Sequence, residues 1–199
     1  MGGNQRVIVG LTGNMGCGKT AAALMFAGHG FRRLDSDQLV REVLLPDQEV
    51  ASAIREKFGS SCFTEEGRVR RDRVAARVFA DAKALNWLEN LLHPRLFVIW
   101  RQKFAEPGVS WIVEAPLLFE KRLENWFDSL VCVTADFPQQ IRRLEQRGIP
   151  PDLARQRLAK QLPLEEKCEL ADFVLLNDGS LDFLRRQVDL VVQKLQPVR

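Results

Sequence analysis

The chain has 199 residues, 46% of them hydrophobic and 28% charged, with a formal net charge of +3. That size fits one α/β domain with a solid core, and the composition is that of a soluble globular protein with no internal repeat or low-complexity segment. No apolar run approaches the ~20 residues of a membrane span, and the modest charge does not indicate nucleic-acid binding.

Met1 to Arg6 runs into the first strand without the apolar core of a signal peptide, so a cytoplasmic protein without a membrane partner is expected. The first strand is Val7 to Leu11, a short β-branched run suited to burial on both faces. After it comes Gly13-Asn14-Met15-Gly16-Cys17-Gly18-Lys19-Thr20, a complete G-x-x-x-x-G-K-[ST] phosphate-binding loop. Good helix formers follow from Ala21 to Ala27, and the helix is expected to begin near Gly18. Glycines in such a loop let backbone N–H groups converge on phosphates at the positive end of a helix. ATP or GTP is therefore expected on residues 13 to 21. Lys19 would reach the β- and γ-phosphates, and the Thr20 hydroxyl would ligate the magnesium ion bridging them.

Gly28-His29-Gly30 reads as a turn and Phe31 to Leu34 as a second strand leading into Asp35-Ser36-Asp37. Ligands of open α/β sheets lie beyond the carboxyl ends of the strands, where Asp35 could take a hydroxyl proton during phosphoryl transfer. Asp37 could position a substrate or cap the next helix. Residues 38 to 106 read as almost wholly helical, a helical insertion able to recognise a second substrate.

Three further strands are expected at Ser110 to Glu114, Ser129 to Thr134 and Asp172 to Asn177. Glu114 occupies the strand-end position of a Walker B carboxylate; it would meet magnesium directly or through water, or make structural contacts only. A final helix from Leu181 to Leu195 would turn leucines, valines and Phe183 inward. The fold class is thus α/β, a phosphate-loop NTPase three-layer sandwich with a five-stranded, mostly parallel sheet in a single domain.

Residues 140 to 170 carry Arg142, Arg143, Arg147, Arg155, Arg157, Lys160 and Lys167, broken by Pro150-Pro151 and Pro163. They read as an arginine-bearing lid or as a pair of solvated helices. Arginine outnumbers lysine 21 to 8, and guanidinium forks match phosphates well. The four cysteines show no C-x-x-C pair, which points away from a zinc or redox motif. Cys17, beside Lys19 at a helix N-terminus, is either a thiol poised to ionise or a small residue filling the loop.

Taken in order, these elements resemble the dephospho-coenzyme A kinase family over nearly the whole chain. The resemblance is carried by the loop Gly13 to Thr20, Asp35-x-Asp37 with Arg41, Leu92-His93-Pro94, Pro116-Leu117-Leu118-Phe119-Glu120, Arg143-x-x-x-Arg147, Gln161-x-Pro163-Leu164-Glu165-Glu166-Lys167, and Ala171-Asp172-Phe173-Val174 with Asn177-x-Gly179. It implies transfer of the ATP γ-phosphoryl group to the ribose 3′-hydroxyl of dephospho-coenzyme A, with magnesium accompanying ATP. It makes Asp35 the proposed base, and Asp35, Asp37, Arg41 and Leu117 the acceptor side. Arg143 and Arg147 would close on ATP phosphates, with Lys19 and Arg143 supplying charge to the reaction. His93 would contact the acceptor or satisfy a backbone group, with Pro94 bending or starting a helix beside it. Three positions depart from the commonest pattern: Thr20 for Ser, Ser36 for Ala and Glu114 for Asp.

Other readings of the phosphate loop are a kinase of a nucleoside, a nucleoside monophosphate or shikimate, and a nucleotide-dependent switch. Against the switch, the chain has no Asn-Lys-x-Asp element and carries its own lid arginines. A monomer is the expectation for the assembly.

Overall fold

The computed structural model describes residues 6–195, which divide into two compact units. One comprises residues 6–35 and 106–195, the other residues 36–105.

The first unit is built on five strands, β1 Ile8–Thr12, β2 Arg32–Asp35, β3 Trp111–Glu114, β4 Ser129–Thr134 and β5 Phe173–Leu176. Their order is β2-β3-β1-β4-β5 and all four pairings are parallel. The expected sheet is therefore present and wholly parallel. The chain leaves β1 toward β2 on one side and reaches β4 on the other, so β1 stands where the strand order reverses, the ligand-binding crevice of an open α/β sheet. All five β1 residues are buried, as a central strand covered on both faces requires.

Helices α1 (Lys19–Gly28) and α9 (Leu181–Leu195) share a core with the sheet. Val9, Leu11, Ala22, Ala23, Phe26, Leu184 and Val188 meet there, all fully excluded from solvent. The inward stripe of α9 is Leu184, Val188, Val191 and Val192; Phe183 and Leu190 lie seven residues apart on the outer side, 47% and 60% exposed. This corrects the expected inward placement of Phe183. At 100° per residue Phe183 and Leu190 fall on the far side of the helix from Leu184, Val188, Val191 and Val192, so the helical period itself places them outward.

On the other face of β1, a methyl group at Gly10 would come within 2.8 Å of Leu118 and 2.7 Å of Phe127. The segment after β3 packs directly on backbone there. Helices α6 (Phe137–Glu145) and α7 (Pro151–Leu158) bury Ile141, Leu144, Ala154 and Leu158 in a small separate core that Met15 and Ile149 join. Helix α8 (Leu164–Leu170) follows.

The second unit is helical: α2 Ser36–Leu39, a π-helical turn Val40–Leu44, α3 Gln48–Phe58, a 3₁₀ turn Ser60–Cys62, α4 Arg71–Ala80 and α5 Ala82–Phe104. Asp47 caps α3, its carboxylate accepting from the backbone N–H groups of Glu49 and Val50. Val50, Ile54 and Phe58 recur at four-residue spacing on the buried face, and Phe58 meets Trp87 edge-on at 5.3 Å. Pro94, expected to bend or start a helix, starts none: α5 runs through it from Ala82 to Phe104. Leu92, Leu96, Trp100 and Phe104 form an unbroken buried stripe across the proline. That burial outweighs the roughly 3 kcal/mol a proline costs inside a helix.

Candidate functional site

The phosphate loop occupies the turn between β1 and α1. Gly13 (φ +133°) could not be alanine, since a Cβ would fall 2.2 Å from the Val133 carbonyl oxygen. Gly18, in the left-handed region at φ +96°, is the N-cap of α1, and the first intrahelical bond runs from Ala22 N–H to the Gly18 carbonyl. The amides from Gly18 to Ala21 thus form the open end of the helix, where an anion is favoured. Lys19 folds back over the loop, its ammonium donating to the carbonyls of Gly13 at 2.9 Å and Asn14 at 3.1 Å.

Several side chains brace the loop from outside. Gln161 accepts the Met15 N–H at 3.0 Å. Asn177 donates to the Cys17 carbonyl at 2.7 Å. Arg143 of α6 donates to the carbonyls of Gly16 at 3.1 Å and Asn177 at 2.8 Å, with a longer contact to that of Cys17. Beside these bonds, Gly18, Ala21, Arg143, Gln146, Arg147, Asn177 and Leu181 line an open concavity of about 240 Å³. Arg143 on α6 and Arg147 in the turn just after it therefore share a surface that begins at the phosphate loop.

Cys17 is wholly buried, and the loss of solvent raises its thiol above the ordinary 9.0, against the smaller lowering effects of Lys19, nearby backbone and Arg143. Of the two readings of Cys17, this favours the small residue filling the loop over the thiol poised to ionise, because desolvation exceeds the attraction of the neighbouring cations. Cys132 and Cys168 lie 36 residues apart in sequence, yet their sulfurs approach to 3.8 Å as free thiols.

Next to the loop, the Thr20 hydroxyl donates to Glu114 Oε2 at 2.9 Å. Glu114 is 4% exposed, and its Oε1 accepts from Arg33 Nε at 2.5 Å. Arg33 Nη2 reaches Asp35 Oδ2 at 3.2 Å. Asp35 is also the register partner of Glu114, at the matched carboxyl ends of β2 and β3. Sequence reasoning singled out Thr20, Glu114 and Asp35 but not Arg33, whose role becomes visible only when β2 and β3 are adjacent.

The Pro116 to Glu120 segment is anchored by Lys167. Its ammonium, on a fully buried side chain, donates to the Pro116 carbonyl at 2.9 Å and pairs with Glu120 at 2.8 Å. Lys167 thus does not belong with the solvent- or phosphate-facing cations among which the sequence pattern put it. Leu117 is 41% exposed beside this anchor.

In the second unit, Asp37 is exposed inside the first turn of α2 rather than ahead of it, so it does not cap that helix. Arg41 is exposed on the π-helical turn. His93 lies on α5 with its ring 5.8 Å from that of Phe97.

The donors around Thr20 are hydroxyl and carboxylate oxygens, which suit a hard divalent cation. Among the described residues, no cluster of three or more His, Cys, Asp or Glu side chains could hold a metal ion alone. This donor set fits magnesium brought in with phosphates and water supplying most of the ligands, rather than a dedicated protein cage. No helix among the described residues is long and apolar enough to cross a membrane.

A strand–phosphate loop–helix at the centre of a parallel sheet, with carboxylates at the adjoining strand ends, defines a phosphate-loop kinase fold. Comparison with known proteins narrows the class. The family model of dephospho-CoA kinase matches residues 7–182. A dephospho-CoA kinase of Carboxydothermus hydrogenoformans is 34% identical over 192 residues, covering 94% of this chain and 93% of that one. Another, of Thermosynechococcus vestitus, is 38% identical over 186 residues, covering 91% of each. The crystal structure of TT1252 from Thermus thermophilus superposes with a TM-score of 0.76 at 31% identity, covering 96% of this chain and 98% of that one. The chain belongs to the dephospho-CoA kinase family.

Proposed function

We propose that this protein transfers the γ-phosphoryl group of ATP to the ribose 3′-hydroxyl of dephospho-coenzyme A, giving coenzyme A and ADP, the last step of coenzyme A synthesis. The observation that carries the reading is the line from Thr20 through Glu114 and Arg33 to Asp35, which puts a base candidate at the strand end beside an intact phosphate loop.

ATP phosphates take the amides of the loop from Gly13 to Ala21, and Lys19 turns from the loop carbonyls toward the β- and γ-phosphates. Magnesium arriving with ATP would supply charge neutralisation for the phosphates. Thr20 and Glu114 are the residues that would hold it, Thr20 through its hydroxyl oxygen and Glu114 directly or through water, with the Thr20–Glu114 hydrogen bond keeping the two side chains together. Arg143 exchanges carbonyl acceptors for phosphate, a stronger partner for a guanidinium, as the 140–170 lid closes; Arg147 completes the ATP side. Asp35 accepts the 3′-hydroxyl proton as the oxygen attacks phosphorus. Asp37, Arg41, His93 and Leu117 contact the acceptor, with the helical insertion 38–106 serving its recognition within one kinase domain. The protein acts in the cytoplasm as a monomer, without a nucleic-acid or membrane partner.

The test is ADP release with Mg-ATP, comparing dephospho-coenzyme A with adenosine, AMP, shikimate and no acceptor. Turnover with dephospho-coenzyme A alone is expected. Preferential turnover with another acceptor would reassign the substrate, and tight nucleotide binding without turnover would favour a switch.

A further inference from the structure

We infer that Arg33 is a positioning residue for phosphoryl transfer, locking the carboxylates of Asp35 and Glu114 into one rigid unit with the phosphate loop. The inference rests on the reading of Asp35 as the base.

Arg33 and Asp35 are two residues apart on β2, so their side chains leave the same face of the strand. Glu114 stands opposite Asp35 on β3, about 4.8 Å away across the ladder. Two carboxylates brought to neighbouring strand ends repel, and Glu114 is nearly sealed from water. Arg33 answers both from one planar group, Nε meeting Glu114 Oε1 at 2.5 Å and Nη2 meeting Asp35 Oδ2 at 3.2 Å. Because the nitrogens of a guanidinium cannot move relative to one another, the spacing of the two carboxylates is fixed by Arg33.

The second oxygen of Glu114 carries this constraint onward to Thr20 at 2.9 Å. Three elements are thereby registered to one another through side chains: α1 with the loop, β3 and β2. The extra methylene of Glu114 relative to aspartate lets one carboxylate serve Thr20 and Arg33 together. A base displaced by about 1 Å from its acceptor costs on the order of 10²-fold in rate, so a group that sets this distance matters without touching substrate.

The experiment measures kcat per nucleotide-binding site, counting sites by titration with a fluorescent ADP analogue, for the wild type, Arg33→Met and Arg33→Lys. For Arg33→Met, kcat per site is expected to fall about 10- to 100-fold. KM for both substrates and the Kd for Mg-ADP should stay within about threefold. Lysine, a single point charge able to meet one carboxylate but not fork to both, should recover only part of the loss. A purely structural Arg33 would reduce the number of binding sites and the melting temperature while leaving kcat per site unchanged. The inference is overturned if Arg33→Met keeps kcat per site within about twofold, or if its loss lies only in KM. Should Arg33→Met not fold, Arg33→Lys carries the test, and wild-type kcat per site in that variant overturns it. A wild type inactive on dephospho-coenzyme A would refute the functional reading; an active wild type with an undiminished variant would refute the role of Arg33 alone.

Discussion

The ammonium of Lys167 lies 2.8 Å from the carboxylate of Glu120, and the lysine side chain is entirely buried. The same nitrogen donates to the Pro116 carbonyl, and Glu120 Oε1 also accepts the Leu162 N–H. One ion pair thus ties the segment after β3 to the start of α8. Removing one partner of a buried pair strands the other charge, at a cost of about 3–5 kcal/mol. Lys167→Ala should lose that much in urea unfolding, while Glu120→Gln, which keeps an acceptor, should lose less. Equal, small losses would mean that the pair is solvated and does not anchor the turn.

Asp35→Asn preserves shape and a hydrogen-bonding side chain while removing the proton acceptor. Mg-ATP binding should remain near normal and kcat should fall about 10²–10⁴-fold. Near-normal turnover would take Asp35 out of the base role.

Arg143→Ala should lower kcat about 10²–10³-fold if its guanidinium meets the transferring phosphoryl group on lid closure. Steady-state kinetics distinguish this from a rise in the KM for ATP alone, which would restrict Arg143 to bracing the loop and binding nucleotide.

Cys17 should resist iodoacetamide at neutral pH in the native protein and react on unfolding, as expected of a buried thiol held protonated. Rapid native labelling, located by peptide mapping, would contradict this. The same shift acts on stability with a definite sign. The folded thiol is raised above 9.0, so the unfolded chain loses its proton first, and stability present below about pH 9 declines above it. Cys132, whose burial and proximity to Cys168 also raise it, acts in the same direction. Urea midpoints should therefore fall between pH 8 and pH 10, and less so in Cys17→Ala than in the wild type.

The phosphate loop, the five strands and the final helix are legible in the sequence because each is written locally, in glycine spacing, β-branched runs and helical periodicity. Strand ends at Asp35 and Glu114 follow from the same patterns. What escapes is the chemistry created by topology. Arg33 looks like one more surface arginine until β2 is seen beside β3, and Lys167 reads as a lid cation until Glu120, 47 residues earlier, is found against it. Pro94 misleads for a related reason: its local preference is overridden by the stripe from Leu92 to Phe104, whose burial is a property of the packed unit. For Cys17 the helix terminus and Lys19 are visible in the sequence, but the desolvation opposing them comes from its burial in the core shared by β1, α1 and α9, which only the packed fold creates.

The central claim concerns where the phosphoryl group goes. Purified protein should be incubated with dephospho-coenzyme A and Mg-ATP, and the product identified by mass and by the position of its new phosphate on the ribose, using phosphorus NMR against authentic coenzyme A. The account predicts a single product carrying phosphate at the ribose 3′ position, formed in one-to-one stoichiometry with ADP. Phosphate at another position, or ADP formed with inorganic phosphate and no phosphorylated acceptor, would contradict it.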